Sequence, residues 1–324
     1  MLNADRTAFC CRVCGVTEKS GTYEAREMLF GLRTKFHYGQ CATCGSLSLL
    51  DPPTDYSICY SRDYYSFSEI RSSAKELIRD FLRAKRDAFY FGDRGLLGRF
   101  LARHLEDRAL QSVSKLALTR DAKILDVGCG IGKLLHRMSI LGFTNLTGVD
   151  PFLLEGAKNG NGVKIRKAHL EDVTDEKYDL VMFHHSLEHV AYPRGTLQKA
   201  ARLLAPRGKC LVRVPVLGQV WEEYGNNWVQ LGPPWHMWIP TKKAMKSLAD
   251  SAELKVETVE YDSTPFQFWG SELCRRDVPL NTLDPSNLKQ RLRFREMSGF
   301  RKRAEELNLA GRGDQAVFVL SAQE

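Results

Sequence analysis

Apolar and polar residues follow two periods along this chain. Short runs at Ile124–Val127, Leu146–Val149, Val163–Lys167, Tyr178–Phe183, Lys209–Val214, Leu254–Tyr261 and Gln315–Ser321 have the length and branched content of buried strands. Between them apolar residues recur at helical spacing. Ile131, Leu134, Leu135, Met138 and Leu141 form one such face, with Gly142 placed to stop it. Leu197–Leu204 forms another, ended by Ala205-Pro206-Arg207-Gly208, and Pro240–Ala252 a third. Strand alternating with helix predicts an α/β fold. Upstream, Ile70, Leu77, Ile78, Phe81 and Leu82 make one helical stripe, and Leu96, Leu97, Phe100, Leu101 and Leu105 a second. Gly92, Gly95 and Gly98 are read as separating these two helices.

The first α/β turn carries the chemistry. Asp126-Val-Gly128-Cys129-Gly130-Ile-Gly132 sits between a strand and a helix, where glycine admits positive φ and close approach of a ligand. The spacing is not that of a dinucleotide turn, because the third glycine position is Lys133. Nor is it a P-loop, because Gly132-Lys133 is followed by Leu134. A carboxylate at Asp126 repels phosphate and suits a ligand bearing an ammonium and a sulfonium. The next strand ends in Asp150, about 20 residues past the glycines, where such folds place a ribose carboxylate.

These residues resemble the first motifs of class I S-adenosylmethionine-dependent methyltransferases. The resemblance implies a Rossmann-like seven-stranded sheet and assigns the cofactor to Asp126, Gly128, Cys129, Gly130 and Asp150, with His169, Leu170 and His184 at later loops. Histidine at position 169 departs from the family's usual acid beside adenine, leaving Glu171 or Asp172 to serve. The fourth strand leads into His184-His-Ser-Leu-Glu188-His189, beyond the carboxyl end where open α/β sheets bind ligands. Glu188 and His189 are therefore candidates for proton removal, and His236, in Pro234-Trp-His236, is a second candidate base or acceptor ligand. The stretch 215–239 reads as an aromatic insertion, with Trp221, Tyr224, Trp228, Trp235 and Trp238 expected to line an acceptor site.

Cysteine spacing adds a metal. Cys11-x-x-Cys14 and Cys41-x-x-Cys44 are two pairs, each followed by glycine, and four thiolates on one Zn²⁺ make a closed structural site. Cys10 competes with Cys11 but spaces less well to Cys14. The expected organisation is a zinc-ribbon segment over 1–55, a tyrosine-rich helical connector over 56–120, and a methyltransferase domain over 121–324. The ribbon together with Tyr56, Tyr60, Tyr64, Tyr65 and Phe67 resembles bacterial methyltransferases acting on nucleotide-linked or surface-polysaccharide sugars. A small-molecule acceptor of that type, methylated on a hydroxyl or a carbon, is the implied partner.

Composition narrows the alternatives only modestly. Of 324 residues 43% are hydrophobic, and no apolar run has the length of a membrane span, so a cytoplasmic protein is expected. The formal charge of +8 admits an anionic partner, and seven Lys/Arg fall between Lys289 and Arg303. An RNA or protein methyltransferase that binds through the ribbon and basic helices is thus the rival reading. A non-enzymatic zinc module is opposed by the intact Asp126, Gly128, Gly130 and Asp150.

Overall fold

A computed structural model describes residues 9–54, 74–153, 160–174, 176–282 and 294–323. The connector tyrosines Tyr56, Tyr60, Tyr64 and Tyr65, with Phe67 and Ile70, lie outside the described residues. So does the stretch 283–293 ahead of the basic helix. The chain divides into two compact units: 1–55, 185–198 and 212–324 form one, and 56–184 with 199–211 the other. No described helix is long and apolar enough to cross a membrane.

The second unit holds the predicted alternation. Strands β4 (Lys123–Val127), β5 (Asn145–Val149), β6 (Val163–Arg166) and β7 (Tyr178–His184) alternate with helix α4 (Lys133–Ile140) and the loops beyond. β4 pairs in parallel with β5 and with β7, and β5 with β6. Parallel pairing sends every carboxyl end to one edge, which brings the loops after Val127, Val149 and Arg166 together. Ile124, Leu125, Leu180, Val181, Met182 and Phe183 are fully buried, as apolar runs inside a parallel sheet should be.

Three helices precede this sheet: α1 (Ala74–Tyr90), α2 (Leu96–His104) and α3 (Arg108–Ser114). Their packing differs from the sequence expectation. Gly98 does not separate helices but lies within α2, where an added Cβ would meet the Lys85 carbonyl oxygen of α1 at 2.6 Å. The helices touch through that glycine, so Leu96, Leu97, Phe100 and Leu105 are exposed among the described residues, Leu96 at 82%. Polar groups fix the bundle instead. Arg137 of α4 meets the buried Asp87 of α1 at 2.8 Å and, at 2.7 Å, Asp107, which caps α3 by accepting from Leu110 N.

The first unit begins with strands β1 (Lys19–Arg26), β2 (Lys35–Cys41) and β3 (Leu47–Leu49), an antiparallel meander. Its fourth strand comes from far along the chain. β9 (Trp238–Ile239) pairs with β3 through Leu47↔Ile239 and Ser48↔Trp238. Around this sheet stand α6 (Gln219–Tyr224), α8 (Phe266–Arg275) and the basic helix α9 (Phe294–Leu309). Tyr38, Leu47, Leu49, Trp221, Tyr224, Trp228, Phe268 and Leu307 share one core. The remaining elements are α5 (Pro193–Leu203), α7 (Lys242–Asp250), β8 (Leu204–Pro215), β10 (Leu254–Tyr261) and β11 (Gln315–Ala322). The large sheet is mixed and seven-stranded, in the order β10-β11-β8-β7-β4-β5-β6, with β10 and β11 antiparallel. The α/β expectation holds, including the seven strands. β8 starts at Leu204, earlier than the turn residues Ala205–Gly208 suggested.

Candidate active site

The glycine turn has the backbone its sequence requires. Gly128, Gly130 and Gly132 all adopt positive φ, of 77°, 54° and 78°. Side chains disfavour that region, which explains three glycines at alternate positions. The turn is closed by Gly128 N donating to the Val149 carbonyl at 2.8 Å and Gly132 N to that of Cys129 at 3.0 Å. A fourth glycine, Gly148 of β5, makes room for it: a Cβ there would meet Cys129 Sγ at 2.6 Å. Burial, with the charges of Asp126 and Asp150, pushes the Cys129 thiol up.

Two acids sit against this turn. Asp150 accepts from Gly130 N at 2.9 Å and, on its other oxygen, from Phe152 N at 2.9 Å. Its pKa is raised by burial, against the pull of those two amides. Asp126, 3% exposed, is pushed up to about 7 by burial and then by the charge of Asp150. Two buried carboxyls side by side favour a cationic ligand, whose charge would restore the ionised form. His169 caps the turn Leu170–Asp172, and its own backbone N donates to Asp172 at 2.8 Å. One oxygen of Asp172 is thereby committed to the cap. His184 closes β7. All eight cofactor candidates belong to the second unit.

The remaining candidates belong to the first unit and gather there. Leu187–His189 is a single turn of 3-10 helix, and it carries Glu188, which is 0% exposed. Ligand atoms of Glu188, His189 and His236 all lie within 4.8 Å of one another. His236 is locked from several sides. Its Nδ1 lies 2.7 Å from the Gln230 carbonyl, which accepts only if Nδ1 carries the hydrogen, so Nε2 is the bare nitrogen. Gly232 adopts φ 47°, and a Cβ there would meet the imidazole at 3.1 Å. The His189 ring stacks on it at 5.3 Å. The backbone is pinned by Met237 N donating to Glu188 O at 2.8 Å, and by Tyr38 Oη lying 2.6 Å from His236 O.

Sequence reasoning missed His185. It takes a left-handed φ of 53°, its N donates to Arg213 O at 2.9 Å, and its Nδ1 lies 3.1 Å from Glu188 Oε1. The i, i+3 spacing to Glu188 was the available signal. Burial depresses all three imidazoles: His185 to about 3, with Arg213 adding to the effect, His189 to about 4 against the pull of Glu188, and His236 in the same direction. Burial thus favours the neutral form of each imidazole.

The tryptophans of 215–239 do not form the expected acceptor platform. Trp228 and Trp238 are fully buried, with Trp221 and Trp235 nearly so. Trp228 Nε1 donates to Asp314 at 2.9 Å and Trp238 Nε1 to the Leu187 carbonyl at 3.1 Å. All four are core residues, and the polar edges of Trp228 and Trp238 are satisfied internally.

The four cysteines come together as their spacing implied. Sγ of Cys11 lies 3.5 Å from that of Cys44, and Cys14 3.5 Å from Cys41, with all four sulfurs within 4.8 Å. A tetrahedron with Zn–S bonds of about 2.3 Å has edges of about 3.8 Å, so the set fits that ion. Gly15 and Gly45, at φ 77° and 73°, donate to the carbonyls of Cys11 and Cys41 and tighten both knuckles. Cys10 is exposed, its Sγ facing the Gly15 carbonyl, and stands outside the set.

Comparison with known proteins agrees with the α/β portion. Residues 101–259 match the family described as "Methyltransferase domain". A protein of Bartonella tribocorum named ubiquinone biosynthesis O-methyltransferase is 32% identical over 111 residues, covering 32% of this chain and 44% of its own length. One of the same name from a Caulobacter species is 33% identical over 133 residues, covering 36% and 52%. The chain thus spans about half the length of these relatives. Among solved structures, a mycolic acid cyclopropane synthase with bound SAH and CTAB aligns at TM-score 0.46 and 18% identity, over 83% of this chain and 99% of its own.

Proposed function

We propose that this chain, whose residues 101–259 match the methyltransferase-domain family, transfers a methyl group from S-adenosylmethionine to a hydroxyl of a small molecule. The observation that carries the reading is the pair of buried carboxyls, Asp126 and Asp150, beside three glycines of positive φ. S-adenosylmethionine would supply a methyl on a cationic sulfonium, passing it to the acceptor oxygen as its C–S bond broke and leaving as a neutral thioether. Asp150 is oriented by the amides of Gly130 and Phe152 to receive the ribose hydroxyls, and Asp126 suits the ammonium. Gly128, Cys129, Gly130, His169, Leu170 and His184 complete the cofactor's surroundings in this reading.

The acceptor's proton is assigned to the cluster in the first unit. His189 takes it with Glu188 beside it, and His236 holds the acceptor. Neutral imidazoles at pH 7 are in the form such a role requires. The Cys11, Cys14, Cys41 and Cys44 set is assigned one structural zinc, with no open position for chemistry.

Two acceptor classes follow from different observations. The ribbon and connector tyrosines favour a nucleotide-linked or polysaccharide-precursor sugar. The relatives' name favours an oxygen acceptor on a ubiquinone precursor, and the burial of the tryptophans removes the aromatic platform a sugar was expected to use. Turnover assays on a panel of nucleotide-sugars and phenols decide between them. The cofactor assignment is tested by Asp150→Ala. Losing hydrogen bonds to a charged group, at ~1.5–3 kcal/mol, should weaken S-adenosylmethionine ten- to a hundredfold by calorimetry. Unchanged affinity would refute it.

A further inference from the structure

We propose that Glu188, His189 and His236 form a binding site for a divalent transition-metal cation, separate from the cysteine set. The first ground is a missing counter-group. Glu188 is completely buried, and its Oε2 has no hydrogen-bond partner among the described residues. A buried carboxylate oxygen left so is costly unless a charge or a proton faces it. Among the described residues no Lys or Arg pairs with Glu188; His185 and His236 face it instead.

The second ground is orientation. His236 Nδ1 donates to the Gln230 carbonyl, so the Nε2 that lies 4.0 Å from Glu188 Oε1 presents a lone pair. Two acceptors face each other across a gap too long for a hydrogen bond. A cation with bonds of about 2.0–2.2 Å to nitrogen and oxygen would bridge them. The hydrogen bond from the far ring nitrogen to a backbone carbonyl is the support that ligating histidines commonly have. Glu188 has its own: His185 Nδ1 at 3.1 Å, held by a strained left-handed backbone. His189, stacked on His236, brings the third ligand atom within the same 4.8 Å.

Two imidazoles and one carboxylate suit zinc, cobalt, nickel or manganese better than magnesium or calcium. Three protein ligands leave a position open, unlike the four sulfurs. The inference deepens the methyl-transfer reading and rests on it for its purpose: an acceptor hydroxyl at the open position would become more acidic. With the cation bound, the three side chains would act as its ligand shell in place of the direct base role given to His189 and the acceptor-holding role given to His236, and the acceptor's proton would pass to solvent.

The test is a Co²⁺ titration of the full chain. Thiolate-bound cobalt has intense near-ultraviolet charge-transfer bands, whereas a nitrogen–oxygen site shows only weak visible bands, so the two sites report separately. A second equivalent binding with weak bands alone is expected. Glu188→Gln and His236→Ala should weaken that equivalent by at least ~100-fold, and His185→Ala by ~10–100-fold, while thiolate bands stay intact as evidence that the unit is folded. Binding of one equivalent only, at the thiolates, overturns the inference, as does a second equivalent indifferent to Glu188→Gln. Calorimetry with S-adenosylmethionine on the same samples keeps the two readings apart. Cofactor binding without a second cation defeats only the cation site, and a second cation without cofactor binding defeats the methyl-transfer reading.

Discussion

The cysteine quartet and the Glu188 cluster lie in the same unit, and each brings its ligand atoms within 4.8 Å. Their construction differs. The quartet is two local turns, each closed by a glycine of positive φ, so four sulfurs converge wherever the knuckles meet. The Glu188 cluster has one half on a 3-10 turn and the other on a residue nearly fifty positions later, seated by Gln230, Gly232 and Tyr38. The first is closed and suits a structural role. The second leaves one buried oxygen, Glu188 Oε2, without a hydrogen-bond partner among the described residues, which suits chemistry. A site's function is thus written partly in what its atoms fail to satisfy.

The largest effect should separate the two. Cys41→Ser removes a thiolate from the proposed zinc site, where metal-binding energy, about 10–16 kcal/mol in zinc-finger peptides, would also be folding energy. Loss of zinc by metal analysis and collapse of the unit's melting transition are expected; an unchanged melting curve would erase the contrast. His189→Ala should instead leave melting and cofactor affinity near wild type while turnover falls by ~10²–10⁴. Normal turnover on the true acceptor would remove His189 from the chemistry.

A smaller effect comes from pH. Asp126, raised to about 7 by burial and Asp150, holds its proton below that pH, and a cationic ligand favours the carboxylate. Cofactor binding should then release a proton, and affinity should rise about tenfold from pH 6 to 8 before levelling. For stability the sign is opposite. A raised folded-state pKa stabilises fully below the unfolded value near 4, and that contribution is lost as pH rises through about 7. Calorimetry and melting across that range should therefore move in opposite directions. Smallest of all, Thr241→Ala removes a hydroxyl that donates to the Cys44 carbonyl at 2.9 Å and caps α7 through Ala244 N. A loss of about 1 kcal/mol in denaturant melts, with zinc retained, is expected.

What could be read from sequence follows the same division. The strands, the glycine turn with Asp126 and Asp150, and the paired cysteines are local patterns whose spacing reflects backbone geometry. His185 was passed over because its partner is reached only through a left-handed backbone that nothing in the composition announces. The insertion tryptophans looked like a binding surface because exposure is a tertiary property, and the N-terminal strands that bury Trp221 and Trp228 lie almost two hundred residues earlier. Gly98 looked like a helix breaker because its reason is a neighbour's carbonyl.

The pairing of β3 with β9 carries a consequence for synthesis. Ser48 leaves the ribosome long before Trp238, its partner, has been translated. Until then β3 presents an unpaired edge, and the core around Tyr38 and Leu47 lacks Trp221, Trp228 and Ile239. The cysteine knuckles can close early, because they need only the first forty-five residues. A nascent chain stalled before residue 238 should thus hold metal yet remain open to proteases along β3, and protection should arrive abruptly once Ile239 clears the exit tunnel.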